Sequence, residues 1–160
     1  MYRIGIGYDI HKLDFNRDFI LGGIKIPYEK GLLGHSDADV LVHAIIDAMF
    51  GALALGDIGT HFPDNDENYK DISSILLLKR ALQLVQDEGY NINNLDCNII
   101  AQEPKLKPFI QQIREKLAEE LMISKDLISV KAKTNEKMDA VGEKKAVEAQ
   151  AIVMLRKDVQ

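Results

Sequence analysis

The sequence predicts an α+β fold in which helices pack on one face of a sheet. Three observations point to it. Stretches with two-residue apolar alternation interleave with stretches of helical apolar spacing. Glycine, proline and aspartate clusters separate these stretches, and no long linker divides them. The chain has 160 residues, 46% apolar and 28% charged, which is the balance of one folded unit of ordinary size. A single domain over residues 1–160 is therefore expected.

Tyr2 to His11 alternates as a strand. Tyr2, Ile4, Ile6, Tyr8 and Ile10 share one side, and Arg3, Gly5, Gly7, Asp9 and His11 share the other. Phe19 to Leu21 and Ile24 to Ile26 flank Gly22-Gly23, which reads as a hairpin. Gly31 to Ser36 reads as a loop. Ser36 or Asp37 then caps a helix from Ala38 to Ala54, which Gly56 stops. Asp57 to Asp71 is a long polar connection, of the kind that often carries function. Ile72 to Glu88 is a second amphipathic helix, closed by Gly89. Ile92 to Gln102 is a strand, Pro104 and Pro108 bracket a turn, and Phe109 to Met122 is a third helix. Leu127 to Asn135 alternates as a strand, Glu136 to Lys145 is a charged loop, and Val147 to Leu155 is a final strand.

Composition excludes several classes of function. Acids outnumber bases 25 to 20, and the net charge of −5 argues against a broad nucleic-acid surface. The absence of tryptophan argues against a base-stacking platform. The longest uncharged apolar stretch, Ala48 to Gly56, is about half of the roughly 20 residues that a bilayer requires. Cys97 stands alone, so no intrachain disulfide forms and a reducing compartment is expected. The first residues lack the apolar core of a signal peptide. The expectation is a cytoplasmic protein with no nucleic-acid or membrane partner.

Asp9-Ile10-His11 puts a carboxylate and an imidazole on the same side of a strand. Alone, such a pair is an ordinary surface hydrogen bond. Asp39, His43 and Asp47 are spaced by four along one helix face. They read either as a solvated acidic stripe or as a metal-ligating histidine whose ring the two carboxylates orient. Together Asp9, His11 and His43 offer one oxygen and two nitrogens, the ligand number of a catalytic zinc site with its fourth position open. His35-Ser36-Asp37 lies at the start of the helix, as an ordinary cap or as an anion site. Lys131, Lys133, Thr134 and Glu136 read as a solvated charged loop or as a diphosphate site with a carboxylate for a hard cation. Gln102 to Lys107 is a proline-kinked loop whose amides could read a base edge. Asp57, Asp64 and Asp66 could grip a polyol or simply solubilise their loop.

Five separated runs resemble one family closely. They are Arg3 to His11, Ile26 to Val40, Ala54 to Asp64, Ile99 to Lys105 and Val130 to Lys137. They are similar, in order and spacing, to 2-C-methyl-D-erythritol 2,4-cyclodiphosphate synthases of the non-mevalonate route to isoprenoids. The resemblance implies an α/β sandwich and a homotrimer. Its three sheets would line a central threefold channel, with active sites between subunits.

The resemblance also implies an activity, that of a phosphorus–oxygen lyase. The 2-phosphate of 4-diphosphocytidyl-2-C-methyl-D-erythritol 2-phosphate attacks the β-phosphorus of the same molecule. CMP leaves and the cyclic diphosphate forms. By resemblance, Asp9, His11 and His43 hold zinc or a similar divalent ion. His35 and Thr134 stabilise the transition state, and Asp9, His11, His35 and Ser36 also meet the substrate. Asp57, Gly59, Phe62 and Asp64 hold its methylerythritol part. Ala101, Gln102, Pro104, Lys105 and Leu106 form the cytosine pocket. Lys133, Thr134 and Glu136 face the diphosphate, and Glu136 helps to hold magnesium or manganese. The pocket and diphosphate loops would come from the subunit adjoining the zinc.

The chain departs from the family pattern at a few positions. Lys133 stands where a threonine is common. Ala140 and Glu143 replace an aromatic residue and an arginine, and Gln150 replaces a glutamate. These last three positions bear on isoprenoid diphosphate binding in the channel, which the resemblance therefore does not extend to this chain. Two other readings remain at this point: a zinc-dependent phosphodiesterase or phosphatase, and a non-catalytic trimer that binds isoprenoid diphosphates. A bacterial cytoplasm fits the chain better than a plastid stroma.

Overall fold

The computed structural model describes residues 1–157. The last three positions of the expected 1–160 unit lie outside the described residues. The order is β1 (Tyr2–Phe15), β2 (Phe19–Leu21), β3 (Ile24–Ile26), β4 (Lys30–Leu33), α1 (Val40–Ala52), α2 (Ile58–His61), α3 (Ser74–Asp87), β5 (Asn91–Ile100), α4 (Ile110–Leu121), β6 (Ile128–Lys133), α5 (Asp139–Gly142) and β7 (Ala146–Arg156). The main sheet runs β4-β1-β7-β5-β6, and β2 and β3 form a separate hairpin. β5 and β6 are parallel, joined through α4; every other pair in the sheet is antiparallel.

All three long helices cover the same side of the sheet. α1 lies over β1 and β7, α4 over β6, and α3 packs on α1 and α4. The mixed α+β class and the one-sided helix layer are as the interleaved patterns predict. The strand periodicity is also present, but its faces are reversed from the usual assignment. In β1 the apolar side (Tyr2, Ile4, Ile6, Tyr8, Ile10) is between 41 and 73% exposed, and the glycine side is turned inward.

The inward turn has a steric cause. A Cβ on Gly5 would sit 1.8 Å from the Ala48 carbonyl oxygen, and one on Gly7 would sit 1.8 Å from the Ala44 carbonyl oxygen. The backbone of α1 thus rests directly on the backbone of β1. No side chain fits between them, and the isoleucines must face the other way. α1 is buried on nearly all sides, with Leu41, Ala44, Ile45, Ala48 and Phe50 at the centre of the core.

Several local expectations need correction. Residues 31–33, read as the start of a loop, belong with Lys30 to β4, because Leu32 is fully buried against the core beside β1. β1 itself runs on to Phe15 to pair with it. α1 begins at Val40, and its cap is Asp39, not Ser36 or Asp37. The buried Asp39 carboxylate accepts from Val42 N–H at 3.1 Å, from Gly22 N–H at 3.0 Å and from Gly23 N–H at 2.7 Å. Gly22 and Gly23 both have positive φ, as the two central residues of a tight hairpin turn require. One carboxylate therefore ties the hairpin to the start of α1. Burial pushes the Asp39 pKa up to about 6, with the nearby Asp37 charge adding to it and the three N–H donors opposing it. The long 57–71 connection contains the short α2, and the charged 136–145 loop contains the short α5.

Gly7→Ala is expected to lower stability by about 3 kcal/mol or more, since the new methyl meets backbone that cannot rotate away. At Gly51 of α1 an added Cβ would meet only the Ile6 oxygen, at 3.7 Å. Gly51→Ala should be neutral or stabilising by up to about 1 kcal/mol. Thermal unfolding of the two variants checks this, and equal melting temperatures would contradict the close approach.

Candidate active site

The contact between α1 and β1 sets the first part of the site. Asp9 and His11 lie on the inward side of β1, two and four residues beyond Gly7. His43 lies one residue before Ala44, whose carbonyl meets Gly7. Asp9 Oδ2 is 2.9 Å from His11 Nε2 and 3.0 Å from His43 Nδ1. The two ring nitrogens are 3.3 Å apart, and the rings meet edge to face with centroids at 5.3 Å. One ligand atom from each residue lies within 4.8 Å of the others.

His11 Nδ1 is 2.9 Å from the Leu33 carbonyl oxygen, which can only accept. Nδ1 therefore carries a hydrogen, and the neutral ring presents a bare Nε2 to the Asp9 carboxylate. Two electron-rich atoms at that separation call for a positive charge between them, either a proton or a cation. The ionisation of the group reflects this. Burial pushes the Asp9 pKa upward, but hydrogen bonds from His11 and His43 and their charge outweigh it and hold it at about 2. Burial pushes His11 down, yet the Asp9 hydrogen bond and charge leave its pKa raised.

The donor set also fits a metal. Tetrahedral zinc with bonds of about 2.0–2.1 Å separates its ligand atoms by roughly 3.3 Å. The two histidine nitrogens already stand at that spacing, and a small movement of the carboxylate brings the third ligand to it.

Asp9, His11, Ser36, His35, His43, Phe62 and Asp64 line one cavity of about 210 Å³. His35 Nε2 donates to the Asp66 carbonyl at 3.1 Å, and Asp71 N–H donates to the His35 carbonyl at 2.8 Å. His35 thus stitches the 62–71 loop over the cavity. Asp57 caps α2 through Thr60 N–H at 2.8 Å and Gly59 lies within α2; both flank Ile58, which lines the cavity, but neither lines it.

Ala101, Gln102, Pro104, Lys105, Leu106, Lys133 and Thr134 line a second cavity of about 180 Å³. Ala101 N–H donates to the Lys133 carbonyl at 2.9 Å, and the Gln102 side-chain oxygen accepts from Lys137 N–H at 3.1 Å. Thr134 Oγ1 donates to Glu136 at 3.3 Å, which places that exposed carboxylate beside the cavity. The two cavities share no residue. Asp9 pairs across β7 Ala149 with Ile99 of β5 and Ala132 of β6. They therefore open at the same end of the sheet, three strand spacings apart, or roughly 14 Å.

Two expectations change. Asp39 and Asp47 do not orient His43: Asp39 is the helix cap, and Asp47 accepts from Ile58 N–H at 2.7 Å and so fixes the start of α2. The Asp39 carboxylate caps the N–H groups at the start of α1, so what His35 and Ser36 offer an anion is their side chains and not the helix end. The His43 ring is instead held by Ser74 Oγ at 2.9 Å and Ser36 Oγ at 3.1 Å, both on Nε2. Sequence reasoning missed Ser74, which lies 31 residues away with no motif of its own. It also missed Arg17, whose guanidinium donates to the carbonyls of Leu32, Gly34 and Ser36 and so shapes the segment carrying His35 and Ser36.

The profile of the YgbB family matches residues 2–156. The chain belongs to the YgbB family. It is 54% identical over 157 residues to a 2-C-methyl-D-erythritol 2,4-cyclodiphosphate synthase of Geobacillus sp. strain WCH70, covering 98% of this chain and 99% of that protein. It is also 54% identical to the Fusobacterium nucleatum protein of the same name, covering 98% of each. Among solved structures, an IspF from Plasmodium falciparum in complex with CDP superposes with a TM-score of 0.85 at 42% identity, over 98% of this chain and 97% of that one. A bifunctional IspDF from Campylobacter jejuni superposes with a TM-score of 0.95 at 39% identity. It covers 99% of this chain, which spans 43% of the bifunctional one.

In the metal-free protein the lowered Asp9 pKa has a definite consequence. A depressed carboxylate adds stability that is present above its ordinary 3.8 and is lost as the pH falls through about 2. The gap in urea-unfolding stability between the parent chain and Asp9→Asn should therefore narrow across that window. A gap that stays constant would contradict the geometry of the cluster.

Proposed function

We propose that this chain is a cyclodiphosphate synthase. It takes 4-diphosphocytidyl-2-C-methyl-D-erythritol 2-phosphate to 2-C-methyl-D-erythritol 2,4-cyclodiphosphate with release of CMP, in the making of isoprenoid precursors. The observation that carries this reading is the convergence of Asp9, His11 and His43 at one end of a cavity that His35 and Asp64 also line. Close similarity along the whole chain to proteins of that name supports it. We take residues 1–160 as one synthase unit working in the cytoplasm. No helix among the described residues is long and apolar enough to cross a membrane.

Asp9, His11 and His43 would hold zinc, and Glu136 magnesium or manganese; when bound, these ions supply Lewis-acid polarisation and charge neutralisation at the phosphates. The chain's own residues do the rest. The nucleophile is the substrate's 2-phosphate, so no serine or cysteine is needed. Cys97 accordingly stays buried, with its thiol pKa pushed up by burial. The 101–106 loop holds the cytosine and so fixes one end of the substrate. Asp57, Gly59, Phe62 and Asp64 hold the methylerythritol end, and His35 with Ser36 meets the phosphates beside it. Lys133 and Thr134 bind the diphosphate and, with His35, stabilise the charge that builds up as the ring closes. Fixing both ends brings the 2-phosphate to the β-phosphorus; such positioning contributes up to roughly 7–11 kcal/mol. The 62–71 loop, held by His35, shields the reacting atoms from water.

One subunit cannot bring its two cavities together across roughly 14 Å of sheet. We propose a homotrimer in which the 101–106 loop and Lys133 to Glu136 of one subunit complete the zinc cavity of the next. The exposed apolar face of Tyr2, Ile4, Ile6, Tyr8, Ile10 and Ile152 supports this, since a surface of that kind requires a cover. Isoprenoid diphosphate binding in the resulting channel is not carried over. Glu143 brings a carboxylate paired with Lys145, and Ala140 and Gln150 supply neither an aromatic ring nor a charge.

With zinc and magnesium present, the cytidylyl substrate should give cyclic diphosphate and CMP, read by phosphorus NMR. Open-chain phosphates would instead mark a hydrolase. His43→Ala should lose most turnover and its bound zinc while keeping the parent oligomer; full turnover without zinc would defeat the assignment. Ile6→Glu, on the exposed face, should sediment as a folded monomer with little activity. A fully active monomer would rule out the shared site.

A further inference from the structure

The His43 ring is only 12% exposed, and its two nitrogens face different worlds. Nδ1 faces Asp9 and His11. Nε2 faces Ser74 Oγ at 2.9 Å and Ser36 Oγ at 3.1 Å. A neutral imidazole carries one hydrogen, and only the nitrogen without it can bind a metal. Asp9, by itself, draws that hydrogen to Nδ1, the wrong nitrogen for a ligand. Something on the other side of the ring has to hold it at Nε2.

The hydrogen inventory identifies what does so. Ser74 is fully buried at the start of α3. Its hydroxyl donates to Asp37 Oδ1. Asp37 also accepts from Ser74 N–H at 3.0 Å and from Asp39 N–H at 3.1 Å. An ionised carboxylate only accepts, so the Ser74 hydroxyl hydrogen is committed to Asp37. Ser74 Oγ then presents a lone pair to His43, and Nε2 must supply the hydrogen between them. Ser36 does not disturb this. Its Oγ accepts from Ala38 N–H at 3.2 Å, and its own hydrogen is free to turn into the cavity that it lines.

We propose that Asp37 and Ser74 form a relay that holds the His43 hydrogen on Nε2 and leaves Nδ1 bare to bind metal. They are positioning residues: neither supplies a ligand atom, and both act through the imidazole. The arrangement is a carboxylate–histidine partnership with a serine inserted as the link. It also gives α3, remote from β1, a part in the site. The inference rests on the metal reading above.

The test uses the full chain with ¹⁵N-labelled histidine and reads the His43 tautomer in the metal-free protein at alkaline pH, where imidazole is neutral. The parent chain should show hydrogen on Nε2. Ser74→Ala removes the acceptor whose own hydrogen is committed elsewhere, leaves Ser36 Oγ, which can donate as well as accept, and should move the population toward Nδ1–H. Asp37→Ala should move it as well, because the Ser74 hydroxyl loses its acceptor and is free to donate to Nε2. Zinc affinity, measured by chelator competition, should fall at least about tenfold in each variant. An Nδ1–H tautomer in the parent chain overturns the proposal. So do variants with native circular dichroism that keep both the parent tautomer and the parent zinc affinity. If the parent chain binds zinc and cyclises its substrate while the variants behave like it, the relay alone is wrong. If the parent chain binds no zinc, the functional reading is wrong, and its tautomer still decides the relay.

Discussion

Helix α1 reaches the backbone of β1 because Gly5 and Gly7 present no side chain beneath it. That approach seats His43 within 3.3 Å of His11 and gives Asp9 two imidazole neighbours. It also decides the orientation of the whole sheet. With the glycine side committed to the helix, the isoleucines and tyrosines of β1 can only face outward. The reactive cluster and the exposed apolar surface are thus two results of one steric fact. The close approach that gathers the candidate metal ligands is also what turns the apolar side of β1 outward.

The segments around this contact keep it rigid. Asp39 joins the hairpin turn to the start of α1, and Arg17 gathers three carbonyls of the segment leading to it. Leu33 fixes one nitrogen of His11, and Ser74 with Ser36 fixes one nitrogen of His43. Each imidazole therefore has one nitrogen tied to the scaffold and one aimed at Asp9. Such fixing of ring orientation separates a ligand set from a chance group of polar residues.

Much of this was legible in the residues because it is local. The two-residue spacing of Asp9 and His11 puts both on one side of any strand, and the alternation around them announces that strand. Gly22-Gly23 between short apolar runs announces its hairpin. The remainder depended on partners far apart in the chain. Alternation shows that β1 has two faces but not which one is buried, and here the usual preference for apolar burial is overridden by helix approach. Spacing by four grouped Asp39 and Asp47 with His43, yet Asp39 is drawn to the hairpin N–H groups and Asp47 to α2. Nothing near Ser74 or Arg17 marks them, since their partners are backbone carbonyls and a ring from other elements. β4 was hidden because its pairing partner, the extension of β1 to Phe15, carries no strong pattern.

X-ray absorption at the zinc edge, on the full chain loaded with one equivalent of zinc, tests the central claim most directly. Two imidazole nitrogens, one carboxylate oxygen and one exchangeable light ligand are predicted, with the imidazole signal reduced in His43→Ala. A sulfur ligand, a closed shell of four protein ligands, or a spectrum unchanged in that variant would show that the helix and the strand do not share one cation.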